Sequence, residues 1–365
     1  MKNFDALLVG FYGMQNTGDD MLMAAAAAGA KQLFSASNIG ATAAKDSATG
    51  KIQEIQGVQS NEQRFKGQDR LLKYLGALRS RHIIIGGGSV FHTAKDIQQK
   101  RHYLKLANSR RHIAAGVGLG PFVDSAAEKA CAKFLNECHF TGLRDRDSFE
   151  IAQCIAPQAN IALTFDLAPG LRFDQPFQGA LSSATDNAIG VALCPVERFQ
   201  GRADLETRRL KQLAQVLREH HQQSGAEIRL IDFNGHPDIG DNAVHTELAA
   251  MLSGLPVKII PYNPNPYAAV HEISKLRGIV AMRLHAAIFA FLTGTPCFNL
   301  NYHPKCHNWC RDIGQLSSNT ADSGNIDNDV LQTALANIWQ GDYSPPSLSV
   351  QDACNKAQKN WRPLP

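Results

Sequence analysis

Two residues able to do chemistry, Arg283 and His285, stand close together in the segment AMRLHAAIFAFLTGTP at 281–296. The apolar run at 276–280 predicts a buried strand before them, and the apolar run at 286–292 predicts a helix after them. Ligands of open α/β sheets bind beside the carboxyl ends of the strands, so both side chains are predicted at a ligand-binding edge. They flank a single leucine and would share a face on an extended strand end. The guanidinium can clamp an anion there, and the imidazole can move a proton.

The first glycine-rich segment, GFYGMQNTGDD at 10–20, directly follows the first predicted strand. Its glycines permit tight turns, and the loop leads into a helix whose N-terminus favours anions. The spacing is not GxGxxG, so the dinucleotide-binding fingerprint is absent. The alternative interpretation is a simple glycine turn in which Asp19 or Asp20 caps the helix.

The second glycine-rich segment, IIIGGGSVF at 83–91, places Gly86, Gly87 and Gly88 after a predicted strand. Three glycines at a strand end let backbone amides approach an anion or a ring closely, which favours a ligand site. Close packing of the chain at these positions is the alternative explanation.

Another cation, Arg144, ends a predicted strand in LRDRDS at 143–148, after the strand end GVGLGP at 116–121. Residues 145–148 can cap the helix that follows. Asp145 and Asp147 also spell the DxD of metal-dependent glycosyltransferases. Helix capping together with an Arg–Asp pair explains these residues better than a metal site does.

The segment NYHPKCHNWC at 301–310 follows the last predicted strand. Its two histidines and two cysteines could form one helical face and so bind zinc. A Pro–Lys pair interrupts them, however, and no matching pair lies elsewhere in the sequence. Lys305, at a strand end, is the better candidate for binding a phosphate or a carboxylate.

Strand-like and helix-like segments alternate along the chain, which indicates an α/β fold of βαβ units with mostly parallel sheets. The predicted strands lie at 6–11, 39–43, 82–85, 113–117, 140–143, 161–165, 188–194, 227–233, 257–261, 278–282 and 297–301. The main predicted helices lie at 18–33, 126–138, 205–221, 241–252, 330–340 and 350–361.

With 365 residues the chain is long for one domain, and two domains of about 150–200 residues are expected. We predict an N-terminal domain at 1–175 and a C-terminal domain at 185–325, joined through the aperiodic stretch 171–187. A C-terminal helical segment at 326–365 is predicted to pack back on the N-terminal domain. Residues 45–65 are predicted to be a mobile loop.

The composition, with 44% apolar residues, is typical of a globular protein. The net charge of 37 − 33 = +4 is too small and too dispersed to indicate nucleic acid binding, but it suits a small anionic substrate. The eight cysteines form no CxxC pair, and without a secretory signal they indicate reduced thiols in the cytoplasm. No apolar stretch approaches the ~18 residues that a membrane helix needs.

Taken in order, the quoted segments resemble the polysaccharide pyruvyl transferase family. The resemblance runs through most of the chain and also includes DLA at 166–168. Two departures are visible: DLA stands where the family often has DPA, and GDD at 18–20 stands where GDE is commoner. Neither departure affects the proposed cations, but either is compatible with a different acceptor.

The resemblance implies two Rossmann-like domains facing each other across a cleft, as in the B-type glycosyltransferases. It implies transfer of the enolpyruvyl skeleton of phosphoenolpyruvate to a sugar, which gives a pyruvate ketal and phosphate without a metal or nucleotide cofactor. His285 would be the acid/base residue. The residues that would bind the substrates are Arg144, Arg283, Lys305, Gly86, Gly87, Gly88, Asn16 and Asp19. The partners would be phosphoenolpyruvate and a glycan or lipid-linked glycan, the latter allowing peripheral membrane association.

Two other functions stay open at the level of the sequence, because fold alone does not determine function. A nucleotide-sugar glycosyltransferase of the same fold would need an acidic residue for the ribose hydroxyls, and Glu272 is the candidate. A non-catalytic protein that binds glycans or anions is the other.

Overall fold

The structure is a computed structural model that describes residues 4–183 and 185–362. Residues 1–3 of the predicted first domain, residue 184 of the predicted linker and residues 363–365 of the predicted C-terminal segment lie outside the described residues.

The described residues form thirteen β-strands, and every strand pairing is parallel. The strands are β1 (Phe4–Val9), β2 (Ile39–Ala44), β3 (Gln56–Gln59), β4 (Ser80–Ser89), β5 (Ile113–Gly118), β6 (Phe140–Leu143), β7 (Ile161–Leu163), β8 (Ala188–Ala192), β9 (Glu227–Ile231), β10 (Val257–Ile260), β11 (Gly278–Ala281), β12 (Cys297–Asn301) and β13 (Thr320–Asp322).

Fifteen α-helices connect or follow these strands in the same part of the chain. They are α1 (Thr17–Phe34), α2 (Ala48–Ile52), α3 (Gln68–Leu78), α4 (Ala94–Leu106), α5 (Ser125–Glu137), α6 (Arg146–Ile155), α7 (Gln175–Ala180), α8 (Val196–Phe199), α9 (Ala203–Ser224), α10 (Asn242–Met251), α11 (Pro266–Ser274), α12 (Leu284–Thr293), α13 (Pro304–Ile313), α14 (Asn328–Gln340) and α15 (Val350–Gln358).

The strands form two separate sheets with related orders. The first sheet runs β3-β2-β1-β4-β5-β6-β7 and the second runs β10-β9-β8-β11-β12-β13. Apart from the extra β7, both have the Rossmann order, in which the connections reverse direction between the first and fourth strands. The predicted α/β class with two Rossmann-like sheets is confirmed.

The chain divides into two compact units, each with its own core. The first comprises residues 4–14, 19–171 and 351–362, and the second comprises residues 15–18 and 172–350. In the first core, Ile83 and Ile85 of β4 are fully buried, and in the second core Val191 and Val280 are fully buried. Central strands of parallel sheets read as continuous apolar runs because helices cover both faces, which is why these strands were predictable.

The C-terminal segment divides between the two units, contrary to the prediction for 326–365. Helix α14 belongs to the second unit and packs against α9, because Leu331, Leu335 and Ile338 recur at helical spacing and enter the second core. Only the residues from 351 onward group with the first unit. There Asn360 Oδ1 accepts hydrogen bonds from Gly116 N at 2.7 Å and from Thr164 Oγ1 at 2.9 Å.

Two stretches that were predicted to lack regular structure contain helices or a strand. Residues 45–65 hold α2 and the edge strand β3, and α2 is capped by Ser47, whose side chain accepts from Gly50 N. The predicted linker 171–187 holds α7, which buries Phe177. Within the described ranges, no helix combines the length and apolar character needed to cross a membrane.

Candidate active site

A cavity of about 390 Å³ lies at the carboxyl edge of the second sheet. It sits where the strand order reverses between β8 and β11, the position at which open α/β sheets bind ligands. The residues that line it are Cys194, Pro195, Val196, Phe199, Gln200, Asn234, Ile239, Arg283 and Tyr302. Of the predicted site residues, Arg283 therefore forms part of this wall.

The Arg283 side chain is held by the fully buried carboxylate of Asp241. The Arg283 Nε donates to Asp241 Oδ2 at 3.1 Å, and Nη2 donates to Oδ1. The same Oδ2 also accepts from the backbone N–H groups of Phe233 and Asn234, each at 2.9 Å. Sequence reasoning missed Asp241 as the partner, because 42 residues separate it from Arg283.

This pairing changes what Arg283 can contribute. Burial acts to lower the pKa of Arg283, but the Asp241 carboxylate outweighs it and the net shift is upward. Arg283 is therefore a permanent cation whose charge is balanced by Asp241. The fork uses Nε and Nη2, which leaves Nη1 as the guanidinium nitrogen outside the pair with Asp241.

His285 lies in the first turn of α12, which begins at Leu284 with Arg283 as its N-cap. The prediction that Arg283 and His285 share the face of an extended strand is therefore wrong. β11 ends at Ala281, and the apolar run that suggested a helix from residue 286 starts its first turn two residues earlier. His285 thus stands beside the N-terminus of a ten-residue helix, where backbone N–H groups favour an anion.

The His285 ring packs directly on the backbone of Gly18. A methyl group placed on Gly18 would lie 2.1 Å from His285 Nδ1, so only glycine fits at this position. The ring also meets Phe289 edge-on, with the ring centroids 6.2 Å apart. Gly18 and Phe289 thus both restrict the position of the imidazole.

Residues 15–18 reach His285 because they join the second unit. Gly235 N donates to Gln15 O at 2.8 Å, and Thr17 N donates to Phe233 O at 2.9 Å. Asn16 forms an isolated antiparallel bridge with Asn234. Residues 15–17 are thus hydrogen-bonded to the loop after β9.

Asn16 also precedes α1, and its Oδ1 accepts from Gly18 N at 3.0 Å. The helix begins at Thr17, so the alternative in which Asp19 or Asp20 caps the helix is wrong, and both carboxylates lie in the first turn. Asp19 belongs to the first unit, whereas Asn16 belongs to the second.

Lys305 follows β12 at the same carboxyl edge as Arg283. It lies in the first turn of α13, and its Nζ sits 5.5 Å from the centroid of the Tyr302 ring, which lines the cavity. His303 is the N-cap of α13 and accepts from Lys305 N at 3.3 Å, while Cys306 and Cys310 are buried. Among the residues that the structure describes, no group of three or more His, Cys, Asp or Glu side chains could hold a metal ion.

In the first unit, Arg144 lies at the carboxyl end of β6 with less than a tenth of its surface exposed. Its Nη2 donates to Ser89 Oγ at 2.8 Å, and its Nε lies 3.4 Å from Asp145 Oδ2. Asp145 caps α6 by accepting from Ser148 N, which confirms the predicted helix cap. The DxD-like Asp145 therefore serves the helix.

The glycine triplet lies at the end of β4, which extends through Ser89 rather than ending at residue 85. A side chain on Gly86 would lie 2.3 Å from Tyr12 Oη, and one on Gly87 would lie 2.8 Å from Leu22. Packing therefore explains Gly86 and Gly87. A side chain on Gly88 would meet only ordinary contacts at 3.8–3.9 Å, but its φ of +79° lies in the left-handed region that favours glycine, and its contact with a ligand stays a prediction.

The sequence model of the family named polysaccharide pyruvyl transferase matches residues 16–304. The chain belongs to this family. No curated protein shows a significant match to the chain.

Solved structures share the fold of this pyruvyl transferase family member at low sequence identity. UDP-GlcNAc 2-epimerase from Methanocaldococcus jannaschii is 10% identical, with a TM-score of 0.60 over 96% of this chain and 97% of that one. An Anabaena protein solved with UDP and glucose is 14% identical, with a TM-score of 0.55 over 99% and 100%. A glycosyltransferase from Rickettsia africae is 10% identical, with a TM-score of 0.55 over 99% and 93%. These likenesses establish a glycosyltransferase-like fold.

Glu272, the candidate ribose-binding residue of a glycosyltransferase, lies away from the cavity edge. It forms ion pairs at 3.8 Å with Arg229 and with Lys275. Arg229 also pairs with Asp186 and Glu227, which stand where β8 and β9 begin. Glu272 is thus engaged at the amino edge of the sheet, opposite the edge that binds ligands in such folds.

A second buried pair supports the cavity of the second unit. His245 Nδ1 lies 2.5 Å from Asp232 Oδ1, and Leu193 N donates to His245 Nε2 at 3.0 Å. Because Nε2 accepts, Nδ1 carries the proton and donates to Asp232. The pair holds the loop after β8 where Cys194 begins the cavity wall. Nothing in the spacing of Asp232 and His245 identified them in the sequence.

Proposed function

We propose that this protein transfers the pyruvyl group of phosphoenolpyruvate to a sugar of a polysaccharide or of its lipid-linked precursor. The products are a pyruvate ketal and phosphate. The observation that carries the proposal is that Arg283, His285 and Lys305 all follow the carboxyl ends of β11 and β12, where Arg283 lines a cavity, in a chain of this family.

The donor carries a carboxylate and a phosphate on a very small frame, so its binding needs several fixed positive groups. Lys305 and the Nη1 side of Arg283 supply two of them. The N-termini of α12 and α13, each ten residues long, supply backbone N–H groups at the same edge. We propose that Arg144 also binds the donor's anionic groups. Gly88, Asn16 and Asp19 are proposed to contact the substrates. Gly86 and Gly87 act through packing.

The proposed reaction begins with protonation of the methylene carbon of phosphoenolpyruvate, with His285 supplying or relaying the proton. Protonation makes C2 electrophilic, and one sugar hydroxyl adds to it and loses its proton. The C2–O bond to phosphate then breaks, the phosphate leaves with that electron pair, and a second hydroxyl of the same sugar adds to give the ketal. The diol thus supplies two protons: one replaces the proton consumed at the methylene carbon and the other leaves with the phosphate. A positioned acid/base group typically accelerates a reaction by a factor of about 10²–10⁴.

We place the reaction in the cytoplasm, with no metal or nucleotide cofactor. None of the eight cysteines, all within the described part of the chain, forms a disulfide, and seven are buried, which suits a reducing compartment. A lipid-linked acceptor would bring the protein to the membrane surface without a spanning helix.

The test is incubation of the purified protein with phosphoenolpyruvate and a panel of sugar acceptors, followed by measurement of released phosphate and of the mass gained by the sugar. We expect phosphate release only when donor and acceptor are both present. In parallel, phosphoenolpyruvate and UDP-sugars are compared for their effect on the melting temperature. Stabilisation by UDP-sugars but not by phosphoenolpyruvate would contradict the proposal in favour of a glycosyltransferase.

A further inference from the structure

A second cavity, of about 400 Å³, lies wholly within the first unit and takes no part in the site described above. It opens at the carboxyl edge of the first sheet, beside the loop that follows β1 and the end of β4, where the strand order reverses. This is the position at which ligands bind to open α/β sheets, and the volume lies within the range of small-molecule sites.

The charged groups of this cavity cancel. Two lysines, Lys73 and Lys100, stand with two aspartates, Asp69 and Asp96. Lys100 is almost fully buried, and its Nζ lies 2.5 Å from Asp96 Oδ2. Burial lowers the pKa of Lys73, while Asp69 and Asp96 act to raise it. A wall with two positive and two negative groups does not select an anion.

One carboxylate oxygen in the cavity wall is an unsatisfied hydrogen-bond acceptor. Oδ1 of Asp69 is buried, and none of the described residues gives it a hydrogen bond. A buried acceptor without a partner costs free energy, so a rotation of the half-buried Asp69 side chain that lets this oxygen accept from a ligand hydroxyl in the cavity would be favoured. Gln59, Ser60 and Gln99 add further neutral hydrogen-bonding groups to the same wall.

The mouth of the cavity also carries an apolar surface. Phe11 is 45% exposed and Met14 is 59% exposed, although both follow β1, whose last four residues are buried. Exposed large apolar side chains beside polar groups are typical of surfaces that contact a ligand. An uncharged sugar ring offers both hydroxyls for the polar wall and an apolar C–H face for Phe11.

We propose that this cavity binds an uncharged pyranose of the acceptor glycan, with a sugar hydroxyl donating to Asp69. The identification of this sugar as part of the acceptor rests on the proposed function. The binding test below does not require turnover.

The experiment is titration of the full-length protein with methyl glycosides of a neutral hexose, a hexuronic acid and an amino sugar, without phosphoenolpyruvate. We expect the neutral glycoside to bind most tightly and Asp69→Asn to weaken it by about tenfold or more, because hydrogen bonds to charged groups are the strong ones. Phe11→Ala, which removes an exposed ring, should also weaken binding while keeping the melting temperature. Glu62→Gln, an equivalent change at an exposed carboxylate, should leave binding unchanged.

Tighter binding of the hexuronic acid, or equal affinity in wild type and Asp69→Asn, would overturn the inference. Steady-state phosphate release separates it from the proposed function. If acceptor KM rises in Asp69→Asn while the KM for phosphoenolpyruvate does not, both hold. If wild type turns over and Asp69→Asn has an unchanged acceptor KM, only the inference fails. If sugar binding depends on Asp69 but no phosphate is released, only the proposed function fails.

Discussion

The two sheets have the same strand order at their centres, yet their carboxyl edges carry different chemistry. At the first sheet, a cavity of about 400 Å³ contains two lysines and two aspartates. At the second, a cavity of about 390 Å³ has Arg283 in its wall, with Lys305 beside Tyr302. The repeated strand order places both cavities at the point of reversal.

The loops after the strands account for the difference. In the second unit, Asp241 balances the charge of Arg283, but Lys305 and the N-termini of α12 and α13 follow β11 and β12 directly and favour an anion there. In the first unit, the charged residues of the cavity lie on α3 and α4, and each helix contributes one aspartate and one lysine. The fold thus provides the location of a site, and the loop residues decide which ligand it selects.

The largest effect is expected at the second edge, for His285→Ala. Loss of the proposed acid/base group should reduce kcat by about 10²–10⁴ with little change in melting temperature. Steady-state phosphate release measures the rate. His139→Ala, at an exposed histidine of the first unit, is the control and should keep full activity. If the two variants are equally active, the second edge does not supply the proton.

Arg283→Ala should lower the stability of the second unit. It leaves the buried Asp241 carboxylate without its partner, and breaking a buried pair costs about 3–5 kcal/mol of unfolding free energy. Urea denaturation measures this loss. Arg283→Met combined with Asp241→Asn should recover part of it, whereas Arg311→Ala, at an exposed pair, should cost at most about 1 kcal/mol. A cost for Arg283→Ala no greater than for Arg311→Ala would refute the structural role of the pair.

Gly18→Ala should displace His285 without removing it. A methyl group at this position would press on the imidazole, and small misplacements of catalytic groups cost about 10- to 100-fold in rate. The overpacking should also cost about 1–3 kcal/mol of stability. Gly179→Ala is the matched control, because nothing lies within 4 Å of the methyl group it would add. Unchanged kcat in Gly18→Ala would show that His285 does not need its present position.

The smallest effect is a pH dependence located in the first unit. Burial lowers the pKa of His112 to about 4 from its ordinary 6.5, and its Nδ1 accepts from Ile83 N at 3.1 Å. The unfolded chain therefore binds this proton more readily between pH 6.5 and 4, so stability falls as the pH falls through that window. His112→Asn keeps an acceptor and should flatten the fall in urea denaturation. An unchanged pH profile in this variant would assign the dependence elsewhere.

Regular apolar runs made most of the fold predictable. Eleven strands were expected and all are present, whereas β3 and β13 were missed. Their sequences, QGVQ and TAD, are short and largely polar because they lie at sheet edges, where one side needs no covering strand. Edge strands of this kind are visible only once the neighbouring strand is known.

The candidate site was predictable by residue type but not by arrangement. Arg283, His285 and Lys305 were identified from their positions after predicted strands. The partners that hold them were not, because Asp241 and Gly18 lie far from them in sequence and are specified only by tertiary packing. The packing roles of Gly86 and Gly87 depend likewise on Tyr12 and Leu22.

The interleaving of the two units along the chain has a consequence for synthesis. Gly116 and Asn360, which hydrogen-bond in the first unit, are 244 residues apart. Gln15 likewise accepts a hydrogen bond from Gly235, which is synthesised much later. A nascent chain that has just produced β7 therefore lacks contacts that both its earliest loop and its first sheet use in the native state. The first sheet can therefore complete its native hydrogen bonds only after the residues that follow the second unit have been made.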